Sequence, residues 1–142
     1  MRAFCGQFGK ELTPFFEEIE EKPFRLKQVF DWVYQKGILT YDGMRNLPLS
    51  LREKLSEALP LGILKIVSSE DSGDGETKKF LWKLHDGKLV ESVLISSGER
   101  RTVCVSSQVG CPARCAFCAS GKQGLIRHLS AAEIVEQVVH IN

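Results

Sequence analysis

Three cysteines within eight residues, Cys111, Cys115 and Cys118 in the run Cys-Pro-Ala-Arg-Cys-Ala-Phe-Cys, place the tightest limit on how this chain folds. With three and then two residues between them, the sulfurs share one side of neither a helix nor a strand, so the segment reads as a loop wrapped around a bound group. Two groups suit such thiols. A cubane iron–sulfur cluster on three cysteines leaves one iron open to a small molecule, whereas structural zinc closes its shell with a fourth protein ligand, here His128. Phe117 and the loop Ser120-Gly121-Lys122-Gln123-Gly124 favour the cluster, because an aromatic ring and a supple backbone suit a bound nucleoside better than a closed zinc knuckle does.

Cys5 and Cys104 bring the cysteine count to five, an odd number too tightly clustered for a disulfide framework. In a reducing compartment that usage points to metal binding. No apolar run approaches the ~20 residues that span a bilayer, and Met1-Arg2-Ala3-Phe4-Cys5 lacks the apolar core of a signal peptide. The expectation is a cytoplasmic protein with no membrane partner. At 142 residues, 43% apolar and 26% charged, the chain is long enough for one sizeable globular domain or two small ones. A net charge of +1 gives no general attraction to polyanions, so contact with nucleic acid has to come from local basic residues. The candidates are Lys78, Lys79, Arg100, Arg101, Lys122 and Arg127. Gly121-Lys122-Gln123-Gly124 does not sit between the paired helices of a KH domain, and it lacks the spacing of a phosphate-binding P-loop.

Residues 1–60 read as helical. Thr13-Pro14 predicts a helix start, since the hydroxyl can cap free amides and proline's missing donor costs nothing in the first turn. A second helix runs from near Phe24 to Gly37 with Leu26, Val29, Phe30 and Val33 on one side, away from Lys27, Asp31 and Gln35. A third opens on a capping box at Ser50-Leu51-Arg52-Glu53, buries Leu51, Leu55, Ala58 and Leu59, and stops at Pro60. From Gly62 the period becomes that of strands: Ile63–Val67, a polar loop over 68–75, then Phe80, Trp82 and Leu84 alternating toward one face. Asp86-Gly87 is a hairpin signal. Leu89–Ile95 returns, and a turn at Ser96–Glu99 leads through Thr102–Ser106 into the cysteines. Ser130-Ala131-Ala132-Glu133 is another capping box, opening a helix with Ile134, Val135, Val138 and Val139 on its apolar side. A strand, a metal loop and a helix in that order cannot bury both faces of the strand, so the chain is expected to be the front part of a longer protein.

The run Arg101-Thr102-Val103-Cys104-Val105-Ser106-Ser107-Gln108-Val109-Gly110, the cysteine loop, Ala119-Ser120-Gly121 to Gly124 and Arg127-His128-Leu129 together resemble the radical S-adenosylmethionine RNA methyltransferases that act on adenine carbon 2. Phe24-Arg25 through Gly37, Asn46-Leu47-Pro48 and Leu51-Arg52-Glu53 are similar to that family's accessory domain. The resemblance implies an α+β fragment in three parts. Residues 1–60 would form a small helical accessory domain, 61–107 an antiparallel β-meander, and 108–142 the cluster loop with the first βα unit of an incomplete radical-SAM (β/α) barrel.

It also implies roles for single residues. Cys111, Cys115 and Cys118 would hold a 4Fe-4S cluster whose open iron binds S-adenosylmethionine. Glu91 matches the proton acceptor. Cys104 matches a cysteine that forms a transient disulfide with a C-terminal, methyl-carrying cysteine, which has no counterpart in these residues. The implied partners are 23S ribosomal RNA, some transfer RNAs and a cytosolic electron donor. The 142-residue piece alone is expected to be inactive. Glu91 and Cys104 can cooperate only on one face of the sheet, which requires Val93 opposite Cys104, since side chains alternate with period two. Two alternatives stand beside this reading: a relative that methylates adenine carbon 8, and a zinc-stabilised RNA-binding module without catalysis.

Overall fold

The computed structural model describes residues 3–110 and 124–141; the three clustered cysteines lie outside them. Helices α1 (Gly9–Glu18), α2 (Pro23–Phe30) and α3 (Leu49–Ala58) come first. A four-stranded antiparallel sheet follows, in the order β1 (Lys65–Asp71), β2 (Thr77–Lys83), β3 (Leu89–Ser97), β4 (Arg100–Cys104). Two short strands, β5 (Gln108–Val109) and β6 (Arg127–His128), pair with each other, and α4 (Ala131–Ile141) closes the described chain. Among the described residues no helix is long and apolar enough to cross a membrane.

The helices form where expected but begin elsewhere. Helix α1 starts at Gly9, a turn before Thr13, because the Glu11 carboxylate accepts the Phe8 amide at 2.6 Å and fixes the first turn. Thr13 instead donates back to the Gly9 carbonyl at 2.8 Å, and Pro14 lies inside the helix. Helix α2 continues through a π-helical turn at Asp31–Gln35, where the Lys36 amide reaches the Asp31 carbonyl five residues back, and ends at Gly37 with φ of 68°. Helix α3 starts at Leu49 behind an extended Pro48, so Ser50 falls inside the first turn and makes no cap. Leu51, Leu55 and Leu59 are buried as expected, whereas Ala58 is exposed.

The meander is longer than its apolar pattern suggests. Ser68–Asp71, expected as loop, extends β1 along β2, with Glu70 opposite Lys79 and Asp71 opposite Lys78. These opposite charges support the pairing on an edge strand exposed along its whole length. A bulge between Ile66 and Ser68 twists that edge, which discourages pairing with another chain. The Asp86-Gly87 turn forms, with the Leu84 amide donating to the Lys88 carbonyl at 2.8 Å. On the inner face Phe80 stacks on Trp82 at 5.6 Å between ring centres.

Helix α4 is the wall that both halves share. Ala132 and Val139 join a core built from Phe4, Leu12, Phe16, Val29, Val33 and the α3 leucines, while Ile141 joins Trp82, Leu84, Val90 and Val109 under the sheet. Its first turn carries the anticipated capping box: Ser130 donates its amide to Glu133 at 2.7 Å, and the Glu133 amide reaches the Ser130 hydroxyl at 3.3 Å. Gly6, with φ of 81°, lies so close to this turn that a Cβ there would be 2.8 Å from Ala131.

Between the halves, the linker after α3 is held by Glu136, which is 0% exposed and accepts the amides of Gly62 at 3.0 Å and Leu64 at 3.1 Å. Burial raises its pKa from 4.5 to about 6, against the backbone hydrogen bonds, which act to lower it. Cys5, Tyr34 and Tyr41 lie in its field, and His140 Nε2 is 3.9 Å away. The folded carboxyl therefore binds its proton more tightly than the unfolded one, so this group adds stability as pH falls from about 6 toward 4.5. Burial lowers the His140 pKa, so that group works in the opposite sense as pH falls below its ordinary value. The comparison with Glu136→Gln isolates the carboxyl. Urea midpoints should show wild type gaining on the variant as pH drops through that window; a constant difference would refute the assignment.

Candidate active site

Strand β3 lies between β2 and β4, so its alternation decides which side chains meet. Val90 and Ser92 point inward and are buried, leaving Glu91, Val93 and Ile95 on the outer face. Val93 pairs with Cys104 and Ile95 with Thr102, the register that puts Glu91 and Cys104 on one face as diagonal neighbours. Both are exposed, and the Cys104 thiol is free. Lys79 of β2 reaches Glu91 at 3.0 Å. The hydrogen bond that Lys79 donates to Glu91 raises the Lys79 pKa, aided by the charge of the same carboxylate. Ser68, Glu70 and Leu81 complete a hollow of about 80 Å³ around the pair.

The same alternation divides the basic residues. Lys79 and Arg100 share the outer face with Glu91, whereas Lys78 and Arg101, opposite Leu94 and Ser96, take the inner one. Lys78 accordingly lies 5.6 Å from the Phe80 ring. Arg127 is committed to carboxylates, and Lys122 lies outside the described residues.

Beyond Cys104 the chain leaves the sheet toward the cysteine segment, and buried polar groups guide it. Gln137 of α4, 0% exposed, accepts the Ser92 hydroxyl at 2.6 Å and the Ser106 amide at 2.9 Å. Its Nε2 donates to the carbonyls of Ser106 at 2.8 Å and Glu133 at 3.1 Å. Ser92 is in turn the acceptor for the Trp82 indole N–H at 3.0 Å. The Ser106 hydroxyl donates to the Glu91 carbonyl at 2.5 Å.

The cysteine segment has a built neck. Gln108 pairs with His128 and Val109 with Arg127, joining the residues on either side of it. Gly110, with φ of 78°, is required there, because a Cβ would stand 1.9 Å from the Gly124 carbonyl oxygen. Arg127 fastens the return strand. Its guanidinium forms a bidentate pair with Glu133 at 3.0 and 2.8 Å, while Nε donates to Asp86 at 2.8 Å. His85 Nδ1 lies 3.3 Å from the same Glu133, which is 1% exposed. Burial would raise the Glu133 pKa, yet the Arg127 and Ser130 hydrogen bonds bring it below the ordinary value. The Arg127 hydrogen bond brings Asp86 down to about 2. His128 is exposed, with Nδ1 3.2 Å from Gln108 Nε2. Among the described residues no three His, Cys, Asp or Glu side chains gather around a metal position.

Known proteins resemble this chain along nearly its whole length. The family model for the ribosomal RNA large subunit methyltransferase N-terminal domain matches residues 5–60. The probable dual-specificity RNA methyltransferase RlmN 2 of Protochlamydia amoebophila is 57% identical over 133 residues, covering 94% of this chain and 37% of that protein. This chain is similar to the N-terminal part of RlmN proteins. A probable RlmN of Carboxydothermus hydrogenoformans is 45% identical over 98% of this chain and 41% of its own length. The crystal structure of a radical SAM methyltransferase from Sphaerobacter thermophilus superposes with a TM-score of 0.93 at 41% identity, over 98% of this chain and 41% of that one. The chain thus spans about two fifths of the RlmN relatives it matches, and the α+β arrangement with an antiparallel meander is that of the Sphaerobacter thermophilus structure.

Sequence reasoning singled out Glu91, Cys104 and the thiol run but not the buried polar groups that support the strands around them. Gln137 lies three residues after Ile134 and four before Ile141, on the packed side of α4. A polar residue on an apolar stripe was the available signal. Glu133 was legible as a cap, but its pairing with Arg127 was not.

Proposed function

We propose that this chain is the N-terminal part of a radical S-adenosylmethionine enzyme that methylates carbon 2 of adenosine in 23S ribosomal RNA and some transfer RNAs. The observation that carries the reading is the Val93–Cys104 register, which sets Glu91 and Cys104 on one exposed face, at the end of the strand that runs into the three thiols. The donor set fits a cluster: three thiolates on one short segment whose flanks meet at the β5–β6 neck, with one iron left for substrate. When bound, Cys111, Cys115 and Cys118 would hold the group that supplies the electron for opening S-adenosylmethionine to a carbon radical, replenished by a cytosolic electron donor.

The residues of the sheet serve the later steps. Glu91 accepts the carbon-2 proton of the adenine, and Lys79 beside it fixes the carboxylate's direction. Cys104 supplies the thiol that forms a disulfide with the methyl-carrying cysteine as that sulfur separates from the product carbon. Lys79 and Arg100 give the face positive charge for RNA phosphates. In this reading residues 1–60 are an accessory domain, 61–107 a meander and 108–142 the first unit of a barrel, in a cytoplasmic enzyme.

The test joins this chain to the part of the Protochlamydia amoebophila relative beyond its matched segment, supplies S-adenosylmethionine, reductant and RNA, and analyses the nucleosides by mass spectrometry. The expected result is 2-methyladenosine from the graft, none from the 142-residue chain alone, and none from grafts carrying Glu91→Gln or Cys104→Ala. Formation of 8-methyladenosine would transfer the reading to the carbon-8 enzymes, and the absence of any methylated adenosine would overturn it.

A further inference from the structure

Strand β4 stops pairing with β3 at Cys104, although its register would next set Val105 opposite Ser92 and Ser106 opposite Glu91. At that point the backbone N–H and C=O of Ser106 both turn to one side chain, the carboxamide of Gln137, at 2.9 and 2.8 Å. The amide thus takes Ser106 as a neighbouring strand would, through a donor and an acceptor together. Its remaining acceptor capacity goes to Ser92, the residue after Glu91, at 2.6 Å. Its remaining N–H goes to the Glu133 carbonyl at 3.1 Å. All four hydrogen-bonding positions are occupied in a fully buried site. Turning the amide over would set its NH2 against the Ser106 N–H, so only one orientation is satisfied.

We propose that Gln137 is a positioning residue for the Glu91–Cys104 pair: its carboxamide replaces the missing ladder rungs between β3 and β4, holding the strand exit so that the thiol stays within reach of the carboxylate's face. One side of the amide holds Ser92, adjacent to Glu91, and the other holds Ser106, two residues past Cys104, so both reactive side chains are referenced to one rigid group on α4. The Ser106 hydroxyl on the Glu91 carbonyl closes the ring. A hydrophobic residue of the same length would fill the space but leave the Ser106 backbone unpaired. The inference rests on the roles proposed above for Glu91 and Cys104.

The test uses the grafted enzyme with Gln137→Met, which keeps length and volume, and Gln137→Glu, which keeps the acceptors and loses the donors. Two steps are followed separately: loading of the carrier cysteine, read from the protein mass, and clearance of the covalent protein–RNA adduct, read on denaturing gels. Loading should proceed as in wild type, while clearance slows on the order of a hundredfold, the usual effect of displacing reacting groups by about 1 Å. Adduct cleared at the wild-type rate, or both steps slowed in proportion, would overturn the proposal. A measurement on the unmutated chain needs no variant to fold: the Ser106 amide, outside the β4 ladder, should show slow hydrogen exchange comparable to β4, and fast exchange would sink the idea. An unmutated graft that neither methylates RNA nor forms adduct counts against the enzyme assignment; the Gln137 clamp is then decided by the Ser106 exchange alone.

Discussion

Anaerobic reconstitution with iron and sulfide should load the chain with about four of each, and Cys115→Ala should abolish that loading. A cubane needs three thiolate corners, and losing the middle ligand leaves two. Cys5 cannot substitute: its thiol is buried against Phe4 and the α4 wall, and burial, reinforced by the Glu136 charge, pushes its pKa up to about 12, so the metal-binding thiolate is scarce. Cys104 is exposed beside Glu91 and has a separate role in the proposed reaction. Cys5→Ala and Cys104→Ala should therefore leave iron and sulfide unchanged. The zinc alternative makes the opposite demand on His128. If His128 completed a zinc site, His128→Ala would release the metal; with a cluster on three cysteines the same variant should keep its iron. Elemental analysis with a sulfide assay separates the cases, and one tightly held zinc lost on His128→Ala would end the cluster reading.

Glu133→Ala should destabilise the chain by about 3 kcal/mol, the lower end of the usual cost of breaking a buried ion pair. Three contributions coincide in this carboxylate. It caps the first turn of α4 through the Ser130 amide, it receives the bidentate Arg127 guanidinium, and it lies within reach of His85. The magnitude stays toward the low side because Arg127 is 27% exposed and keeps Asp86 as a partner, so its charge is not stranded. The sign with pH is fixed as well. Glu133 and Asp86 titrate below their ordinary values in the folded chain, so their contribution is present above about 4.5 and is lost as pH falls through the folded-state values. The gap between wild type and Glu133→Ala in urea midpoint should accordingly shrink in acid. A difference below about 1 kcal/mol at neutral pH, no more than an exposed ion pair contributes, would show that the pair does not hold the β6–α4 junction.

Where the sequence reading succeeded, the determining signal was short in range. The Asp86-Gly87 turn, the alternation of Phe80, Trp82 and Leu84, and the Ser130–Glu133 box each depend on residues a few positions apart, and each formed. Its misses have equally specific causes. Ser68–Asp71 looked like a loop because it is polar throughout, and an edge strand with water on both faces leaves no apolar trace. Thr13-Pro14 and Ser50–Glu53 carry genuine helix-start chemistry, but the Glu11 carboxylate on the Phe8 amide starts α1 earlier, and the extended backbone of Pro48 starts α3 at Leu49 without any side-chain cap.

By itself the chain's order of residues determined the thiol spacing, the side of the strand that Glu91 occupies and the places where strands turn, since all of these follow from backbone periodicity and local hydrogen bonding. The tertiary structure alone decided which polar groups go into the interior. Glu136 reaches an amide 74 residues away, and Gln137 reaches one 31 residues away. A buried carboxylate or amide is tolerated only when such partners arrive to offset its lost hydration, and that arrival depends on how α4 packs against both the helices and the sheet.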